Sequence, residues 1–322
     1  MKRVALVLGF LGLAVSLQAQ KFTTLPHTPQ AVPAFVIITG SPLTVHVGDD
    51  TSLQVFNTNV PGTGQFYPTD CTETADSGVF ADIAGNLYAP NFEQHPCGTA
   101  TGGIGTHIPW TPVSLSAVTG TGSASNPFTV VVVVDAGTTG LRLTMTVTYV
   151  NGASLFNTAF AFSNTGSASV TWNTFFGGDI YLADSDSGIP HLDAGTNAPG
   201  GQDCTAQTYT ILFLTTTPND RYSANRYSTV WSEIGAGSLP NTVASGCQDN
   251  GAANEWDNRT LAPAAALTID SGVSFSGFVG PTPTPTGPTA VVPTLSTPGV
   301  AALVLLLVAV GYVLARKASP GA

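Results

Sequence analysis

The chain has 322 residues and a formal net charge of −10, with 19 acidic residues against 9 Lys and Arg. Between residues 22 and 290 all 19 acids remain, but only four arginines and no lysine. So acidic a body cannot neutralise phosphates, which excludes nucleic-acid binding, and without lysine it cannot form intramolecular Lys–Asn isopeptide crosslinks. The 35 Gly and 23 Pro predict short strands joined by many turns.

The first predicted element is an export signal. Lys2 and Arg3 precede an apolar stretch at residues 4–15, and small and polar residues follow up to Ala19. This layout is typical of a secretory signal peptide, residues 1–19, which the Sec export machinery handles and which is then removed. The apolar stretch is too short to span a bilayer stably, although a retained signal anchor is the alternative. The sequence therefore predicts that the body of the protein is exported.

The body, residues 35–279, is predicted to be all-β and to form a large antiparallel β-sandwich. Its clearest strand, residues 141–150, alternates apolar residues with Arg and Thr, so that one face is buried and the other meets water. The Asn151-Gly152 pair that follows is a strong hairpin signal. This strand and the next two predicted strands are expected to form a three-strand meander over residues 141–176.

The other predicted strands lie on both sides of this meander. Residues 128–134 form a continuous apolar run, which favours a strand covered on both faces. No part of the body shows a sustained apolar period of 3.6 residues, so no helix is predicted there. The remaining predicted strands are residues 35–39, 51–58, 209–214, 227–234 and 267–279.

The body is interpreted as one domain that follows a short N-terminal segment, residues 20–34. A length of about 245 residues suits a single all-β domain, and two sandwiches divided near residues 120–125 are the alternative. The long meander, its Asn-Thr-Gly turn and the closing strand at residues 261–269 loosely resemble bacterial surface β-sandwich proteins. They also resemble the supersandwich of galactose mutarotases. Both resemblances concern architecture alone.

Four cysteines in an exported chain predict two disulfides. Three pairings can be drawn, and the sequential one is favoured because each bond then closes one loop-rich segment. On the chain-entropy model each loop would contribute about 3–4 kcal/mol. Metal binding is the alternative, but no two cysteines are close in sequence and no His-x-x-x-His motif accompanies them. The favoured pairs are Cys71–Cys97 and Cys204–Cys247.

The composition changes after the body. Residues 280–291 are rich in Pro and Thr and favour a stiff polyproline II spacer. Residues 298–315 are predicted to form a helix about 27 Å long, which is just enough to cross a membrane. Arg316 and Lys317 then mark the cytoplasmic side and leave a tail of residues 318–322. An ordinary single-pass anchor would have the same features.

The segment around this helix resembles a sorting signal. Residues 292–317 are similar to the IPTL-CTERM signal of Gram-negative bacteria, with Val in place of the usual Ile and Pro298 in place of the usual Trp. The resemblance implies recognition by an exosortase-type membrane transpeptidase that cuts near the motif and passes the body to the cell surface. It implies transit and no activity. The residues that carry it are Val292, Pro293, Thr294, Leu295, Ser296 and Gly299, with the basic pair Arg316 and Lys317.

The body contains no recognisable catalytic motif. Its histidines are scattered, and a G-x-S-x-G elbow is missing. Within residues 177–188, however, Asp179, Asp184 and Asp186 are candidate oxygen ligands for Ca²⁺. A solvated acidic turn is the favoured interpretation, because the spacing is not that of an EF-hand. No other cofactor is predicted.

Two functions are compatible with this pattern. The favoured one is a non-catalytic cell-envelope or surface protein with a structural or adhesive role, and hence not an enzyme. The alternative is a secreted carbohydrate-active module that binds or hydrolyses sugar and has a surface glycan as partner. A pocket that holds two facing acids, or a His–Glu pair beneath an aromatic shelf, would favour this alternative, whereas a smooth sandwich without such a cleft would favour the first function. Its sugar-stacking platform would come from tryptophans that otherwise pack in the core: Trp110, Trp172, Trp231 and Trp256.

Overall fold

The computed structural model describes residues 32–59 and 64–276. The chain divides into two units, Met1–Pro281 and Thr282–Ala322, and every described residue belongs to the first. The predicted signal peptide, Pro/Thr spacer and sorting tail lie outside the described residues. Within the described ranges no helix has both the length and the apolar character needed to cross a membrane.

Strands make up most of the described chain. The first nine are β1 (Phe35–Thr39), β2 (Leu43–Gly48), β3 (Leu53–Asn57), β4 (Ser77–Ile83), β5 (Asn86–Ala89), β6 (Ile108–Pro109), β7 (Thr111–Leu115), β8 (Phe128–Asp135) and β9 (Leu141–Tyr149). The next nine are β10 (Leu155–Asn164), β11 (Val170–Ile180), β12 (Gly188–Asp193), β13 (Ala198–Asp203), β14 (Thr210–Leu214), β15 (Arg221–Arg226), β16 (Thr242–Val243), β17 (Asn250–Leu261) and β18 (Ala266–Ser276).

Two large sheets enclose the main hydrophobic core. One has eight strands in the order β12-β13-β14-β18-β10-β9-β8-β7, and the other has seven in the order β16-β15-β17-β11-β4-β5-β6. A third sheet, β1-β2-β3, contributes side chains to the same core. All strand pairs are antiparallel except β5–β6 and β15–β16. The all-β sandwich is thereby confirmed. Strands β7 and β8, which lie on either side of residues 120–125, pair with each other.

The burial of β9 follows its sequence alternation, whereas that of β8 differs from the prediction. In β9 every second residue from Leu141 to Tyr149 is buried, and the residues between them are partly exposed. In β8 the same alternation appears, so Val130, Val132 and Val134 are buried while their neighbours are not. The prediction that β8 is covered on both faces is wrong, because an antiparallel sheet can leave one face to solvent.

The predicted three-strand meander is only partly correct. Strands β9 and β10 pair as expected, but β11 leaves for the seven-stranded sheet and pairs with β4 and β17. The corner between β10 and β11 is held by Asn164, whose side-chain amide donates to Ala168 O at 2.8 Å and to Leu261 O at 3.0 Å. Since Leu261 ends β17, this amide ties the turn to the second sheet.

Residues 227–234 were predicted as a strand and instead form most of the helix α1 (Tyr227–Gly235). Val230, Trp231 and Ile234 are its buried residues, and positions spaced by three and four lie on one face of a helix. They pack on the outer side of the seven-stranded sheet in a second, smaller core that includes Phe80. Over nine residues the apolar run alone does not separate this helix from a buried strand.

Both disulfides of the favoured pairing are present. Cys71 bonds to Cys97 and Cys204 to Cys247, each with a Cα–Cα distance of 5.5 Å. Each bond joins two residues that lie outside the strands, and the second holds residues next to the candidate site.

Candidate functional site

Three aspartates from separate parts of the chain meet near the end of β11. Asp179 lies on β11, Asp186 follows the next tight turn, and Asp249 directly precedes β17. Their carboxylate oxygens lie within 4.8 Å of one another. Asp179 is only 2% exposed, Asp249 is half-buried, and Asp186 is exposed. This cluster, called the acidic site below, therefore extends from the protein interior to solvent.

Backbone pairing fixes the buried end of the acidic site. Asp179 N donates to Asp76 O at 2.9 Å, and Tyr67 N donates to Asp179 O at 3.1 Å. Asp179 is thus held between two neighbouring segments, and its position does not depend on hydrogen bonds from its own carboxyl group.

A two-residue turn positions Asp186. Leu182 and Ser185 exchange backbone hydrogen bonds of 2.8 and 2.9 Å. Between them, Ala183 and Asp184 have positive φ angles of 48° and 64°, as a type I′ turn requires. The turn reverses the chain after β11 and leads it directly into Asp186.

Asp249 is positioned by its two neighbours in sequence. Gln248 forms an isolated antiparallel bridge with Gly188, at the start of β12. Tyr227 N donates to Asp249 O at 3.1 Å. This approach depends on Gly251, because a Cβ there would lie 2.7 Å from the Cα of Tyr227.

The carboxyl groups of the acidic site are poorly compensated. Burial, then the charges of Asp249 and Asp76, raises the pKa of Asp179 well above its usual range. Burial, then the charge of Asp186, raises the pKa of Asp249 to about 6, although Arg226 opposes this shift. Within the described residues, Oδ1 of Asp179 and Oδ1 of Asp249 are buried and have no hydrogen-bond partner. An unpaired buried polar group costs on the order of 1–3 kcal/mol, so a bound cation or hydrogen-bond donor would stabilise this arrangement.

Three half-buried tyrosines border the acidic site. Burial, followed by charges that include those of Asp186 and Asp179, raises the pKa of Tyr67. Burial followed by charges that include those of Asp249 and Asp179 does the same for Tyr227. The pKa of Tyr181 is likewise raised, by burial and then by nearby acids that include Asp186. The charges of the acidic site therefore act on all three tyrosines.

The sequence predicted two members of this cluster and missed one. Asp179 and Asp186 come together, whereas Asp184 stays exposed at the tip of the turn and is not part of the cluster. Asp249 was missed because it comes from a distant part of the chain. Its place just before a strand is the only local signal that it could belong to a site. Acids brought together from separate parts of the chain are one feature of the carbohydrate-active alternative.

The four tryptophans pack in the core, the placement that the sequence favours, and offer no platform for a sugar. Each of the four tryptophans is at most 1% exposed, so none can stack on a sugar. Three belong to the main core and the fourth to the smaller core under α1: Trp110, Trp172, Trp256 and Trp231.

A buried His–Asp pair lies elsewhere in the body. His95 Nε2 lies 3.0 Å from Asp50 Oδ2, and both side chains are 1% exposed. Asp50 also accepts hydrogen bonds from Asn91 N and from the backbone and hydroxyl of Ser52. Because these hydrogen bonds satisfy the carboxylate of Asp50, we assign the pair to stability.

A carboxyl pair on the outer face of β17 is also held by its own hydrogen bonds. Glu255 is fully buried and accepts a hydrogen bond from Leu239 N at 2.5 Å. Burial, then a hydrogen bond with Asp257, raises the pKa of Glu255 to about 9. Asp257 is bound to Arg221 Nε at 2.7 Å, and its pKa is lowered. Substrate has no access to Glu255, so this pair is also structural.

Comparison with known proteins gave structural neighbours only. No family model and no curated protein matches the chain. A candidate aldose 1-epimerase from Escherichia coli K12 is 12% identical, with a TM-score of 0.43, over 76% of this chain and 99% of its own. A bacterial glucoamylase complexed with acarbose is 10% identical, with a TM-score of 0.45, over 76% of this chain and 32% of its own. A galactose mutarotase-like protein from Lactobacillus casei is 10% identical, with a TM-score of 0.35, over 75% of this chain and all (100%) of its own.

These neighbours correct two expectations. Their names are those of enzymes that act on sugars, or of proteins like them. The prediction of a non-catalytic structural or adhesive surface protein is overturned by this finding, and so is the prediction that the chain is not an enzyme. With TM-scores below 0.5 the likeness carries no further argument, and the function is argued below from the chain's own residues.

Proposed function

We propose that the protein is an exported, carbohydrate-active protein that engages a glycan at the acidic site. The observation that carries this proposal is the buried, unpaired carboxylate oxygen of Asp179, which belongs to the same cluster as the exposed Asp186. Unpaired buried polar atoms are rare in folded proteins, and the cluster that contains this atom meets solvent at Asp186.

The chemistry of the acidic site suits a sugar. Carboxylate oxygens accept hydrogen bonds from hydroxyl groups, and tyrosine rings pack against apolar surface while keeping a polar end in water. A pyranose ring presents hydroxyl groups for the carboxylates and an apolar face for the tyrosine rings. Since the body carries 19 acids and only four arginines, charge repulsion disfavours acidic glycans, and a neutral glycan is the expected ligand.

The same groups give a reason to measure turnover. Glycoside-cleaving sites generally use a pair of Asp or Glu residues on either side of the bond that breaks. The acidic site supplies Asp179 and Asp249 in such proximity. Cleavage of a bound glycan is therefore assayed together with binding.

The test is a screen of neutral glycans with the full-length protein, read as binding and as release of reducing ends. Asp186→Asn and Tyr181→Ala should each weaken binding at least tenfold. Asp184→Asn is the matched control, because Asp184 lies in the same turn outside the cluster, and Asn tolerates its positive φ. If no neutral glycan is bound or cleaved, or if Asp184→Asn weakens binding as much as Asp186→Asn, the proposal is wrong.

The route to the surface is part of the proposal. Residues 1–19 are proposed to direct export, and residues 292–317 to deliver the body to an exosortase-type membrane transpeptidase. The two disulfides support an oxidising, extracytoplasmic location. The body itself is proposed to be supersandwich-like, because its sheets of eight and seven strands exceed the usual four to six.

A further inference from the structure

We infer that Asp179, Asp186 and Asp249 bind one divalent cation, that Ca²⁺ is the ion that fits, and that the bound ion offers coordination positions to the glycan. The last part rests on the proposed function. The ion site itself stands on the geometry of the described residues alone.

The spacing of the acidic site suits an oxygen-liganded ion. Calcium binds oxygen at about 2.3–2.6 Å, so two ligand atoms on opposite sides of the ion are up to about 5 Å apart. The three carboxylates each offer an oxygen, and these oxygens lie within 4.8 Å of one another. Carboxylates are hard ligands, and the cluster has no histidine or cysteine, which favours Ca²⁺ over Zn²⁺.

The buried oxygen atoms are an independent sign of a ligand. Oδ1 of Asp179 and Oδ1 of Asp249 are buried without a hydrogen-bond partner in the described part of the chain. The ion pairs found among the described residues involve none of the three acids. A carboxylate out of water needs a counter-charge or a proton. Among the described residues, no cationic side chain forms an ion pair with Asp179.

A solvated acidic turn, the interpretation favoured from sequence, does not account for Asp179. That interpretation describes Asp184, which is exposed at the tip of the turn and outside the cluster. Asp179 is instead 2% exposed and belongs to a strand. Its place on a paired strand fixes one ligand in advance, while the turn and the chain before β17 bring the other two.

The outer side of the ion is expected to remain open. Ca²⁺ takes six to eight oxygen ligands, and three carboxylates supply only part of this set. Asp186 is exposed and Asp249 is half-buried, so solvent reaches the site from their side. Water fills those positions in the absence of sugar, and vicinal hydroxyls of a glycan replace it beside Tyr67, Tyr181 and Tyr227.

The test uses Tb³⁺, which replaces Ca²⁺ and emits when neighbouring tyrosines are excited. Full-length protein should give saturable Tb³⁺ emission that Ca²⁺ displaces, and Ca²⁺ should raise the melting temperature. Asp186→Asn and Asp249→Asn should weaken Tb³⁺ binding at least tenfold, whereas Asp184→Asn should leave it unchanged. Asp186 is exposed, so its variant is expected to fold normally. Absence of saturable emission, or equal loss in Asp184→Asn, would overturn the ion site.

Glycan binding with and without a chelator separates the two proposals. If a neutral glycan binds and the chelator abolishes binding, both are supported. If the glycan binds equally well after chelation, the role of the ion in sugar recognition is wrong. Glycan binding without any Tb³⁺ or Ca²⁺ binding overturns the ion site and leaves the proposed function standing. Ion binding without any glycan ligand supports the ion site and overturns the proposed function.

Discussion

Gln248 and Gly188 exchange backbone hydrogen bonds in both directions, at 2.9 and 2.8 Å. This bridge lies between two acids, because Asp186 is two residues before Gly188 and Asp249 directly follows Gln248. It joins the start of β12 to the chain just before β17. Two of the three carboxyl groups therefore meet through backbone pairing, and the stability of that pairing should govern ligand binding.

The disulfide between Cys204 and Cys247 should support the acidic site, because Cys247 directly precedes Gln248. Replacing both cysteines by Ala should lower the free energy of unfolding by about 4 kcal/mol, the chain-entropy cost for a loop of this length. It should also weaken Tb³⁺ binding. Urea unfolding and Tb³⁺ titration measure the two effects.

The disulfide between Cys71 and Cys97 serves as the control. Its removal should lower stability by about 3.5 kcal/mol and leave Tb³⁺ affinity nearly unchanged, since neither cysteine adjoins a member of the acidic site. Equal loss of Tb³⁺ affinity in both double variants would show that the Cys204–Cys247 disulfide has no particular role in supporting the acidic site. Reactive thiols in quantity in the unfolded, unreduced protein would contradict the disulfides themselves.

The buried pair of His95 and Asp50 should matter far more than an exposed ion pair. Burial opposes ionisation of Asp50, but hydrogen bonds from His95 and Ser52 lower its pKa. His95→Leu would leave this carboxylate without one of its donors, at a cost of about 3–5 kcal/mol in urea unfolding.

The matched comparison is Arg142→Leu, which breaks an ion pair with Asp135. Those side chains are 37% and 26% exposed, and a pair so open to water contributes at most about 1 kcal/mol. Similar losses of unfolding free energy in His95→Leu and Arg142→Leu would show that burial does not set the strength of the His95–Asp50 pair.

Glu255 should make the fold less stable as the pH rises. Its pKa is about 9 in the folded protein and about 4.3 when unfolded, so between these values the folded state holds a proton that the unfolded state has lost. The free energy of unfolding should then fall by up to about 1.4 kcal/mol per pH unit across that window. Below pH 4 this contribution is fully present.

Glu255→Gln tests this directly, because a glutamine amide donates to Asp257 as the protonated carboxyl does. The variant should be more stable than the wild type at pH 8 and should lose most of the pH dependence between pH 5 and 9. Arg221 and Asp257, the charged groups that face Glu255, are unchanged in it. If the unfolding free energies of the wild type and Glu255→Gln change with pH in parallel, Glu255 is ionised in the folded protein.

The C-terminal segment should be cut near residues 292–296 in the native host. A membrane anchor needs only hydrophobicity and flanking charge, whereas a processing enzyme must hold a particular extended segment. Pro293→Ala and Thr294→Ala should therefore block processing and retain residues 303–317, as shown by intact mass and membrane fractionation. If the wild-type protein keeps those residues and both variants behave identically, the segment is an ordinary anchor.

The strands were predictable where the sequence alternates. Leu141 to Tyr149 shows its buried face directly, since every second side chain is apolar. The helix at Tyr227–Gly235 was not, because its apolar residues form a short run and its packing partner Phe80 lies far away in sequence. The exit of β11 to the second sheet depends on the corner at Asn164, which a local pattern does not reveal.

The acidic site was half predictable for the same reason. Asp179 and Asp186 are close in sequence, so an acidic run identifies them as candidates. Asp184 stands between them and looks equivalent, yet its positive φ places it at the tip of the turn. Asp249 joins the site only through pairing between Gln248 and Gly188, and long-range pairing of this kind leaves no local signal.

The most direct test of the central claim is the position of a bound glycan in a crystal structure of the protein, grown with Ca²⁺ and the neutral glycan that binds most tightly. We predict a sugar ring against Tyr67, Tyr181 or Tyr227, with its hydroxyl groups directed at the acidic site. A glycan bound elsewhere on the body, with the acidic site free of sugar, would contradict the account.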